Sequence, residues 1–437
     1  MRDRLHRLYS HWRQQGTRSL LAHIRRKLLE RALRASLAPE SSDGSGRIEV
    51  HTLVKSQFAS LTPLRTYTQK HSVGARLNLV TDSIGQGSLF GGVGTALILG
   101  ALLANRMNAT LRIVTRTERP QPQNLEHILG LHGIVLEKEV QFAFAPFFDD
   151  QYELDVGESD LFLTTSWWTT QATLSSVAPG KVIYLLQEDE RMFYPYGDER
   201  ARANEVMARR DIQFLINTQL LFDHLVLDGF DHLRDCGLWF EPSFAPNQAP
   251  LKAKGADKRH RFFFYARPNN PRNLFYLGLQ VIEQAVSEGV LDPKQWELVL
   301  VGKDIPNVVF KGDVVPLRME NLSWEAYLSL VSTIDLGLSL MSTPHPSYPP
   351  FDLANAGAVV VTNRFGVKTD LSAYSPNILC AELNVHDLVQ TLRQGVALAL
   401  KSDQRSKNQA QNAFIPTWAQ ALEGVIEVTV ERVRVSH

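Results

Sequence analysis

Short apolar runs alternate with amphipathic segments along most of the chain. The runs are rich in Val, Ile, Leu and Phe, as buried strands are, and the segments between them carry apolar residues at helical spacing. A glycine-rich loop and a predicted helix, residues 95–107, follow the first strand of this kind. Such alternation predicts a parallel sheet covered by helices on both faces. In the first half of the chain, the predicted strands are residues 76–81, 110–115, 160–165, 181–186 and 213–217.

The alternation lapses over about residues 231–259, which contain Pro242, Pro246 and Pro250, and then restarts. The second set of predicted strands is 261–266, 296–301, 308–311, 333–339 and 358–362, with helices at 271–288, 323–332, 350–356 and 385–400. We therefore predict an α/β protein with two doubly wound, Rossmann-like domains that face each other across a cleft. The predicted parts are domains at 75–235 and 260–402, a connection at 236–259, and a C-terminal helix at 403–437 that returns to the first domain.

The amino-terminal segment differs from the rest in charge. Residues 1–35 contain ten Lys or Arg, opposed by Asp3 and Glu30, and Leu8 and Trp12 lie among apolar residues at helical spacing. This pattern predicts a basic amphipathic helical arm, residues 1–38, followed by a linker and lead-in at 39–74. Such a helix either lies on an anionic membrane surface or packs on the body of the protein with its charges in water.

Composition narrows the class of protein without naming a function. The chain has 437 residues, 44% hydrophobic and 21% charged, which suits a soluble protein of two to three domains. Its net charge of zero implies no bulk attraction to nucleic acid. Cys236 and Cys380 show no metal-ligand or redox spacing. We expect no transmembrane span and no secretory signal, and hence a cytoplasmic protein that the arm places peripherally on the inner membrane.

Two arginines mark the clearest candidate site. A strand-like run leads into Arg267, and Pro271 begins a predicted helix with Asn270 as its N-cap and Arg272 in its first turn. Side chains at such strand ends bind ligands in open α/β sheets, and two guanidiniums beside a helix amino terminus suit a diphosphate. Lys303 follows the next strand and is a third candidate cation. The alternative is a strand exit with solvated basic side chains.

A glycine-rich loop is the second candidate element. Gly91, Gly92 and Gly94 lie between the first strand and the first helix of the body. They would let the backbone approach a ligand and free the helix amides to meet a negative group. The loop lacks the spaced glycines and the acidic residue typical of dinucleotide folds, so that cofactor is disfavoured. A turn that merely needs positive φ angles is the other interpretation.

A third motif, HPSYPPFDLANAGAVVVTN, supplies a carboxylate. Pro349 and Pro350 can begin a helix, which would place Asp352 in its first turn. There the helix dipole would keep the carboxylate ionised and ready to accept hydrogen bonds from sugar hydroxyls. Ser347 and Tyr348, just before it, are further candidate donor-binding residues. A helix-starting Asp without a ligand is the alternative.

The first domain carries the candidate acceptor site. Gln187, Glu188 and Asp189 follow the predicted strand 181–186, again at a carboxyl end. Trp167 and Trp168 follow the preceding strand and could stack on sugar rings, although aromatic residues in such loops are more often part of the core.

The second domain resembles the retaining glycosyltransferases of family 4. Ala266-Arg267 matches their Gly-Arg step, with Arg272 in place of the following Lys, and Asp352 to Gly357 matches their Glu-Ala-Met-Ala-x-Gly helix with Asp for Glu. The resemblance implies that Arg267 and Arg272 bind the donor diphosphate and that Asp352 binds the ribose of the nucleotide. The family's first Glu is replaced here by Pro344, which puts the usual contact to the donor sugar in doubt.

More specifically, the chain resembles the WsaF-type rhamnosyltransferases. The likeness covers about residues 75–400 and rests on YLLQEDERMFYP, FFYARPNNPRNLF and the run from Trp324 to Asn363. It implies a GT-B architecture and transfer of rhamnose from dTDP-rhamnose, with retention, to a saccharide or lipid-linked glycan of the bacterial surface. Since the deoxyribose of dTDP has fewer hydroxyls than ribose, Asp in place of Glu is compatible with this donor.

The charges suggest a mechanism in which Arg267 and Arg272 stabilise the departing diphosphate and so act as catalytic groups. The second domain shows no paired carboxylates that would hold a metal at a strand end, so we predict transfer without metal or other cofactor. Two alternatives stay open. The chain is either a GT-B scaffold that binds a glycan or nucleotide sugar with little turnover, or a sugar-nucleotide epimerase.

Overall fold

The structure is a computed structural model that describes residues 48–69, 74–85, 89–149, 151–245 and 259–435. The predicted basic arm, residues 1–38, lies outside the described residues. The strands are β1 (Thr66–Thr68), β2 (Arg76–Thr81), β3 (Thr110–Thr115), β4 (Gln141–Phe144), β5 (Leu154–Val156), β6 (Leu161–Thr164), β7 (Val182–Leu186), β8 (Gln213–Asn217), β9 (Gly237–Phe240), β10 (His260–Ala266), β11 (Trp296–Gly302), β12 (Leu317–Glu320), β13 (Leu336–Leu338), β14 (Val359–Asn363) and β15 (Ile378–Ala381).

The helices alternate with these strands, as the apolar pattern predicts. They are α1 (Val50–Gln57), α2 (Gly94–Arg106), α3 (Pro122–Leu131), α4 (Trp167–Leu174), α5 (Asp198–Met207), α6 (Gln219–Leu227), α7 (Leu233–Cys236), α8 (Phe275–Ser287), α9 (Trp324–Val331), α10 (Tyr348–Asn355), α11 (Val385–Ala399), α12 (Ser402–Gln409) and α13 (Trp418–Val435). Within the described part of the chain, none of them combines the length and apolarity needed to cross a bilayer.

The first domain is built on a seven-stranded parallel sheet in the order β4-β3-β2-β6-β7-β8-β9. Strands β2 and β7 are buried at every residue because helices cover both faces of the sheet. Strand β9 pairs with β8 from Gly237 to Phe240, where sequence analysis predicts an irregular connection. The prediction that the connection begins at residue 236 is therefore wrong, since the first domain continues to Phe240.

The second domain has a six-stranded parallel sheet in the order β12-β11-β10-β13-β14-β15. At its centre, β10 pairs with both β11 and β13 and buries Phe262, Phe263 and Phe264 completely. The predicted strand 308–311 is wrong, because a tight turn with positive φ at Gly312 and Asp313 reverses the chain there. The edge strand is β12 instead.

Helix α8 begins later than predicted. Pro271–Asn273 forms a short 3-10 turn, Leu274 takes a left-handed φ of 51°, and the helix begins at Phe275. Asn270 makes no side-chain capping hydrogen bond. Arg272 therefore lies on a separate turn before the helix and not in its first turn, which frees its side chain to point toward the other domain.

The last helix, α13, lies against the first domain. Its apolar face, with Trp418, Leu422 and Ile426, joins the core between the first sheet and α2. The chain thus crosses from the second domain back to the first. Near this crossing, Phe244, which follows β9, packs against Phe351 of α10 in the core of the second domain.

Candidate active site

The carboxyl ends of the two sheets face each other, and basic side chains gather there on the second domain. Arg267 follows β10 and donates a hydrogen bond from Nη1 to the hydroxyl of Tyr265 at 3.1 Å. Lys303 follows the neighbouring strand β11 and is exposed. Gly302 lets the two strand ends approach, because a Cβ there would clash with the carbonyl oxygen of Ala266. Among the described residues, no carboxylate lies within ion-pair distance of Arg267 or Lys303, so both charges are available to an anionic ligand.

Arg272 reaches across to the first domain. Its Nη1 lies 3.0 Å from Oε2 of Glu188, without the alignment of a linear hydrogen bond. Its guanidinium also stacks on the ring of Phe193, 4.4 Å from the centroid. Arg272 and Glu188, which sequence analysis assigns to the donor and acceptor sites respectively, are therefore direct neighbours. The predicted donor and acceptor sites therefore meet at this ion pair.

Glu188 lies in a largely buried pocket of mixed charge. Burial raises the pKa of its carboxyl to about 7, and the positive charges of Arg272 and Lys368 oppose that rise. Nδ1 of His345 lies 3.9 Å from the other carboxylate oxygen. A carboxyl with this pKa changes its charge near neutral pH, as groups that exchange protons in active sites often do.

His345 is held neutral in a defined tautomer. Its Nδ1 accepts a hydrogen bond from the backbone amide of Ser347 at 3.0 Å, so the ring proton resides on Nε2. Burial, with Lys368 and Arg272 nearby, lowers the pKa of this imidazole to about 3. Its Nε2 is buried and finds no hydrogen-bond partner among the described residues. An unpaired buried donor beside the cleft is suited to an oxygen of a ligand.

Lys368 is a functional candidate that sequence analysis does not identify. It lies in the turn after β14, is completely buried, and donates from Nζ to the carbonyl oxygen of Met341 at 3.1 Å. Burial lowers the pKa of its ammonium to about 8. The signal available in the sequence was its place in a loop that follows a buried strand, where ligand-binding residues of open sheets lie.

The glycine-rich loop is part of a polar network that joins the domains. The Gln187 side chain donates to the carbonyl oxygen of Gly92 at 2.7 Å, and Asn217 lies 3.3 Å from Gln187. Asn217 also donates to the hydroxyl of Tyr348 at 2.7 Å, and that hydroxyl shares a hydrogen bond of 2.8 Å with Thr95. Burial raises the pKa of Tyr348 to about 12, so it stays a neutral link between the domains.

The three glycines of the glycine-rich loop are required for different structural reasons. Gly91 has a φ of 87°, and a Cβ on Gly92 would press on the Gln187 amide. Gly94 is the first residue of α2 and is buried. The loop thus needs glycine at Gly91 and Gly92 to form this network. The side chain of Gln187 is already hydrogen-bonded to the loop. The structure places Gln187 and Tyr348 at the domain interface beside the cleft.

The prediction that Asp352 lies in the first turn of its helix is wrong. Helix α10 begins at Tyr348, so Asp352 lies in its second turn. Burial raises the pKa of this carboxyl to about 7, and a hydrogen bond of 3.0 Å from Tyr327 only partly opposes the rise. Before it, Ser347 takes a strained φ of 70°. Strain of this kind clusters at ligand sites, which fits the predicted role of this loop.

The predicted sugar platform is only partly present. Trp167 is 2% exposed, lies in the core and donates from Nε1 to the hydroxyl of Tyr194, so its ring cannot stack on a ligand. Trp168 is half-buried and donates to the carboxylate of Asp82 at 2.9 Å. Of the pair, Trp168 remains a candidate for contact with an acceptor.

Asp189 does not fit an acceptor-binding role either. It is completely buried, and Nη2 of Arg191 lies 2.6 Å from both Asp189 and Asp228. This pairing lowers the pKa of Asp189 to about 2 despite its burial. Asp189, Asp228 and His224 form the group of potential metal ligands found among the described residues, and Arg191 already neutralises its carboxylates.

Comparison with known proteins decides the family. Residues 76–219 match the model of the WsaF N-terminal domain, and residues 260–393 match that of the WsaF C-terminal domain. This chain belongs to the WsaF family. A curated relative, the O-antigen biosynthesis protein RfbC of Myxococcus xanthus, is 30% identical over 276 residues. The match covers 61% of this chain but 20% of that protein, so this chain spans only part of the relative's length.

Solved structures confirm the fold expected of a WsaF family member. A glycosyltransferase from Rickettsia africae aligns with a TM-score of 0.52 at 12% identity and covers 83% of this chain and 100% of its own. WaaG, a glycosyltransferase involved in lipopolysaccharide biosynthesis, aligns with a TM-score of 0.51 at 10% identity over 81% of this chain and 99% of its own. At such low identity these structures show the fold alone, which is GT-B with two Rossmann-like domains.

Proposed function

We propose that this chain is a glycosyltransferase that transfers a sugar from a nucleotide-sugar donor to a saccharide or lipid-linked glycan acceptor in bacterial surface glycan assembly. The observation that carries the proposal is the row of cations at the cleft. Arg267 and Lys303 lie at adjacent strand ends without carboxylate partners among the described residues, and Arg272 lies on the turn that follows. Such a row can stabilise the negative charge that develops on a departing diphosphate.

The relatives' names agree with this assignment. The Myxococcus xanthus relative is described as an O-antigen biosynthesis protein. A structural neighbour from Burkholderia xenovorans with a TM-score of 0.50 is described as a UDP-forming trehalose-phosphate synthase. That enzyme therefore releases a nucleoside diphosphate. A nucleoside diphosphate is the leaving group that the cations of this cleft suit.

For the donor we propose dTDP-rhamnose, transferred with retention and without a metal ion. The support is the WsaF family membership and Asp352, a carboxyl on α10 at the position where the retaining glycosyltransferases of family 4, which the second domain resembles, have Glu. Pro344 is buried at the position of their other Glu. The contact that this missing carboxylate would make with the sugar must therefore come from elsewhere in the cleft.

A panel of sugar nucleotides tests the proposal. We expect the melting temperature of the purified chain to rise most with dTDP-rhamnose, and nucleoside diphosphate to be released faster when a saccharide acceptor is added. Donor binding without product under every acceptor would favour the glycan-binding scaffold, and conversion of one free sugar nucleotide into another would favour an epimerase. Absence of any stabilisation would reject nucleotide-sugar chemistry altogether.

The basic arm supplies a second proposal, contact with the anionic cytoplasmic face of the inner membrane. Its ten cations each contribute roughly 1 kcal/mol near an anionic surface. Binding of the full chain to liposomes should require anionic lipid, weaken with salt and vanish when residues 1–38 are deleted. The truncated chain should still transfer sugar to a short soluble acceptor. Full-length protein that ignores anionic liposomes at low salt would contradict the proposal.

A further inference from the structure

Glu188 is the carboxylate through which the first domain meets the predicted diphosphate site. It follows β7, and its two oxygens face groups of the second domain: Nη1 of Arg272 at 3.0 Å and Nδ1 of His345 at 3.9 Å. A phosphate oxygen held by Arg272 would lie about 3 Å from the same guanidinium. Glu188 would then be within about 6 Å of the leaving group, so a hydroxyl between the two could lie within hydrogen-bond reach of the carboxylate, as a general base requires.

The neighbouring acidic side chains are engaged elsewhere. Asp189 is paired with Arg191, and Glu190 accepts a hydrogen bond of 2.6 Å from the backbone amide of Trp167 inside the first domain. His345 cannot accept a proton at Nδ1, because the Ser347 amide occupies it, and Nε2 already carries one. Glu188 is therefore the base that the described part of this pocket offers to a substrate.

Donor binding changes the state of Glu188. A diphosphate carries more negative charge than a carboxylate and takes over Arg272 as its counter-ion. The carboxylate of Glu188 then stays in a buried pocket without the positive charge of Arg272 to stabilise it. Its proton affinity therefore rises. The pKa of Glu188, about 7 in the free protein, thus rises further when the donor is present.

From this geometry we propose that Glu188 accepts the proton of the attacking acceptor hydroxyl once the donor diphosphate has displaced it from Arg272. The inference rests on the proposed function. In the step, the acceptor oxygen forms a bond to the anomeric carbon while the bond from that carbon to the phosphate oxygen breaks. The nucleoside diphosphate leaves with the electron pair of that bond, and the hydroxyl proton passes to the carboxylate.

The position of Glu188 also fits the stereochemistry proposed above. If Arg272 binds the leaving group as proposed, Glu188 would lie on the side of the sugar from which the diphosphate departs. A hydroxyl that it activates attacks from that same side, and attack from that side retains the configuration. His345 Nε2 is a neutral donor in the same pocket and can bind a sugar or phosphate oxygen during the step.

Glu188→Gln tests the proposal, with Glu190→Gln as the matched control. Both changes replace a buried carboxyl by an amide of equal size. With dTDP-rhamnose, Glu188→Gln should lose about 10²–10⁴-fold in transfer to a saccharide, the usual contribution of a general base. Transfer to 4-nitrophenol, whose hydroxyl ionises readily, should stay within about tenfold of wild type, since it needs little help from a base. Binding of dTDP should be unchanged or tighter, because the competing charge is gone, and Glu190→Gln should stay close to wild type.

The pH profile gives an independent readout. For wild type, kcat/KM for the donor, which reports groups of the free enzyme, should rise with pH through about 7 because the base must be ionised, and this rise should be absent in Glu188→Gln. The charged and titratable groups that surround Glu188 are Arg272, His345, Lys368, Asp189 and Glu190.

Two results would overturn the inference alone: saccharide transfer by Glu188→Gln within a few-fold of wild type, or equal loss with both acceptors together with weaker dTDP binding. The second would make Glu188 a residue that only positions Arg272. Wild-type protein that binds neither dTDP nor dTDP-rhamnose would instead overturn the proposed function, and this inference with it.

Discussion

The two faces of the cleft use their charged residues differently. On the second domain, Arg267 and Lys303 end adjacent strands with no acidic partner among the described residues. On the first domain, the acidic and aromatic residues after β6 and β7 turn inward, with Asp189 bound to Arg191 and Trp167 in the core. The charges on the second-domain face are available to a ligand, whereas most of those on the first-domain face are paired within their own domain.

This difference shows how a motif at a strand end should be interpreted. A side chain there reaches a ligand only if the domain has not already supplied its partner. Glu188 is the exception on the first domain, since its partners belong to the opposite domain. We therefore expect substitutions on the second-domain face to change activity, and most of those on the first-domain face to change stability.

The largest expected effect is on stability. Trp167→Ala should lower the free energy of unfolding by about 3–5 kcal/mol, because it removes a large buried side chain and its hydrogen bond to Tyr194. Denaturant unfolding measures this. Trp239→Ala, at a tryptophan that is 40% exposed on the same domain, is the control and should cost much less. A stable Trp167→Ala protein with a selective loss of acceptor binding would show that the ring reaches the cleft after all.

Arg267→Ala should lower turnover and leave the stability of the fold nearly unchanged. Loss of an electrostatic stabiliser of the leaving group costs about 2.7–4 kcal/mol in the transition state, or about 10²–10³-fold in turnover. The melting temperature should hardly move, because among the described residues Arg267 has only its hydrogen bond and its ring contact with Tyr265 to lose. Arg393→Ala, which breaks a surface ion pair with Glu288, is the control and should leave turnover intact. Turnover by Arg267→Ala within a few-fold of wild type would remove it from the site.

The central strands of both sheets were predictable because their signal is local. The bounds of β2, β3 and β8 coincide with the predicted runs 76–81, 110–115 and 213–217, since each run carries several of the Leu, Ile, Val and Phe residues typical of a buried parallel strand. The placement of Arg267 at the end of β10 followed from the same signal. The edge strands β4, β9, β12 and β15 were missed because they are short and partly exposed.

The candidate site was less predictable, because its key contacts join distant parts of the chain. The Arg272 to Glu188 pair exists only when the domains meet, and burial of Lys368 depends on the packing around it. An aromatic residue after a strand, such as Trp167, looks the same in the sequence whether it faces the core or the cleft. The break between the 3-10 turn and α8 depends on the left-handed conformation of Leu274, which a leucine rarely adopts and which the sequence therefore does not predict.

A smaller expected effect is the pH dependence of stability that the buried carboxyl of Asp352 causes. Burial raises the pKa of Asp352 to about 7 in the folded protein, so between its ordinary value and 7 only the folded state holds the proton. Stability then falls as pH rises, by about 1.4 kcal/mol per unit for one such group. Asp352→Asn keeps an acceptor for Tyr327 and should remove this slope. We expect its melting temperature to exceed that of wild type at pH 8 and to approach it at pH 5; a difference that is independent of pH would contradict the assigned burial effect.

The smallest expected effect is that of chelation. Among the described residues, the group with the geometry to hold a metal is Asp189, His224 and Asp228, and the Arg191 guanidinium already lies 2.6 Å from both carboxylates. A divalent ion would have to displace that buried cation. On the second domain, cationic side chains can supply the charge that a metal would otherwise bring to the diphosphate. We therefore predict that sugar transfer in excess EDTA matches the untreated rate. A rate that falls on chelation and returns with Mg²⁺ or Mn²⁺ would mean that a metal shares the diphosphate with Arg267 and Arg272, and the contrast between the two faces would have to be redrawn.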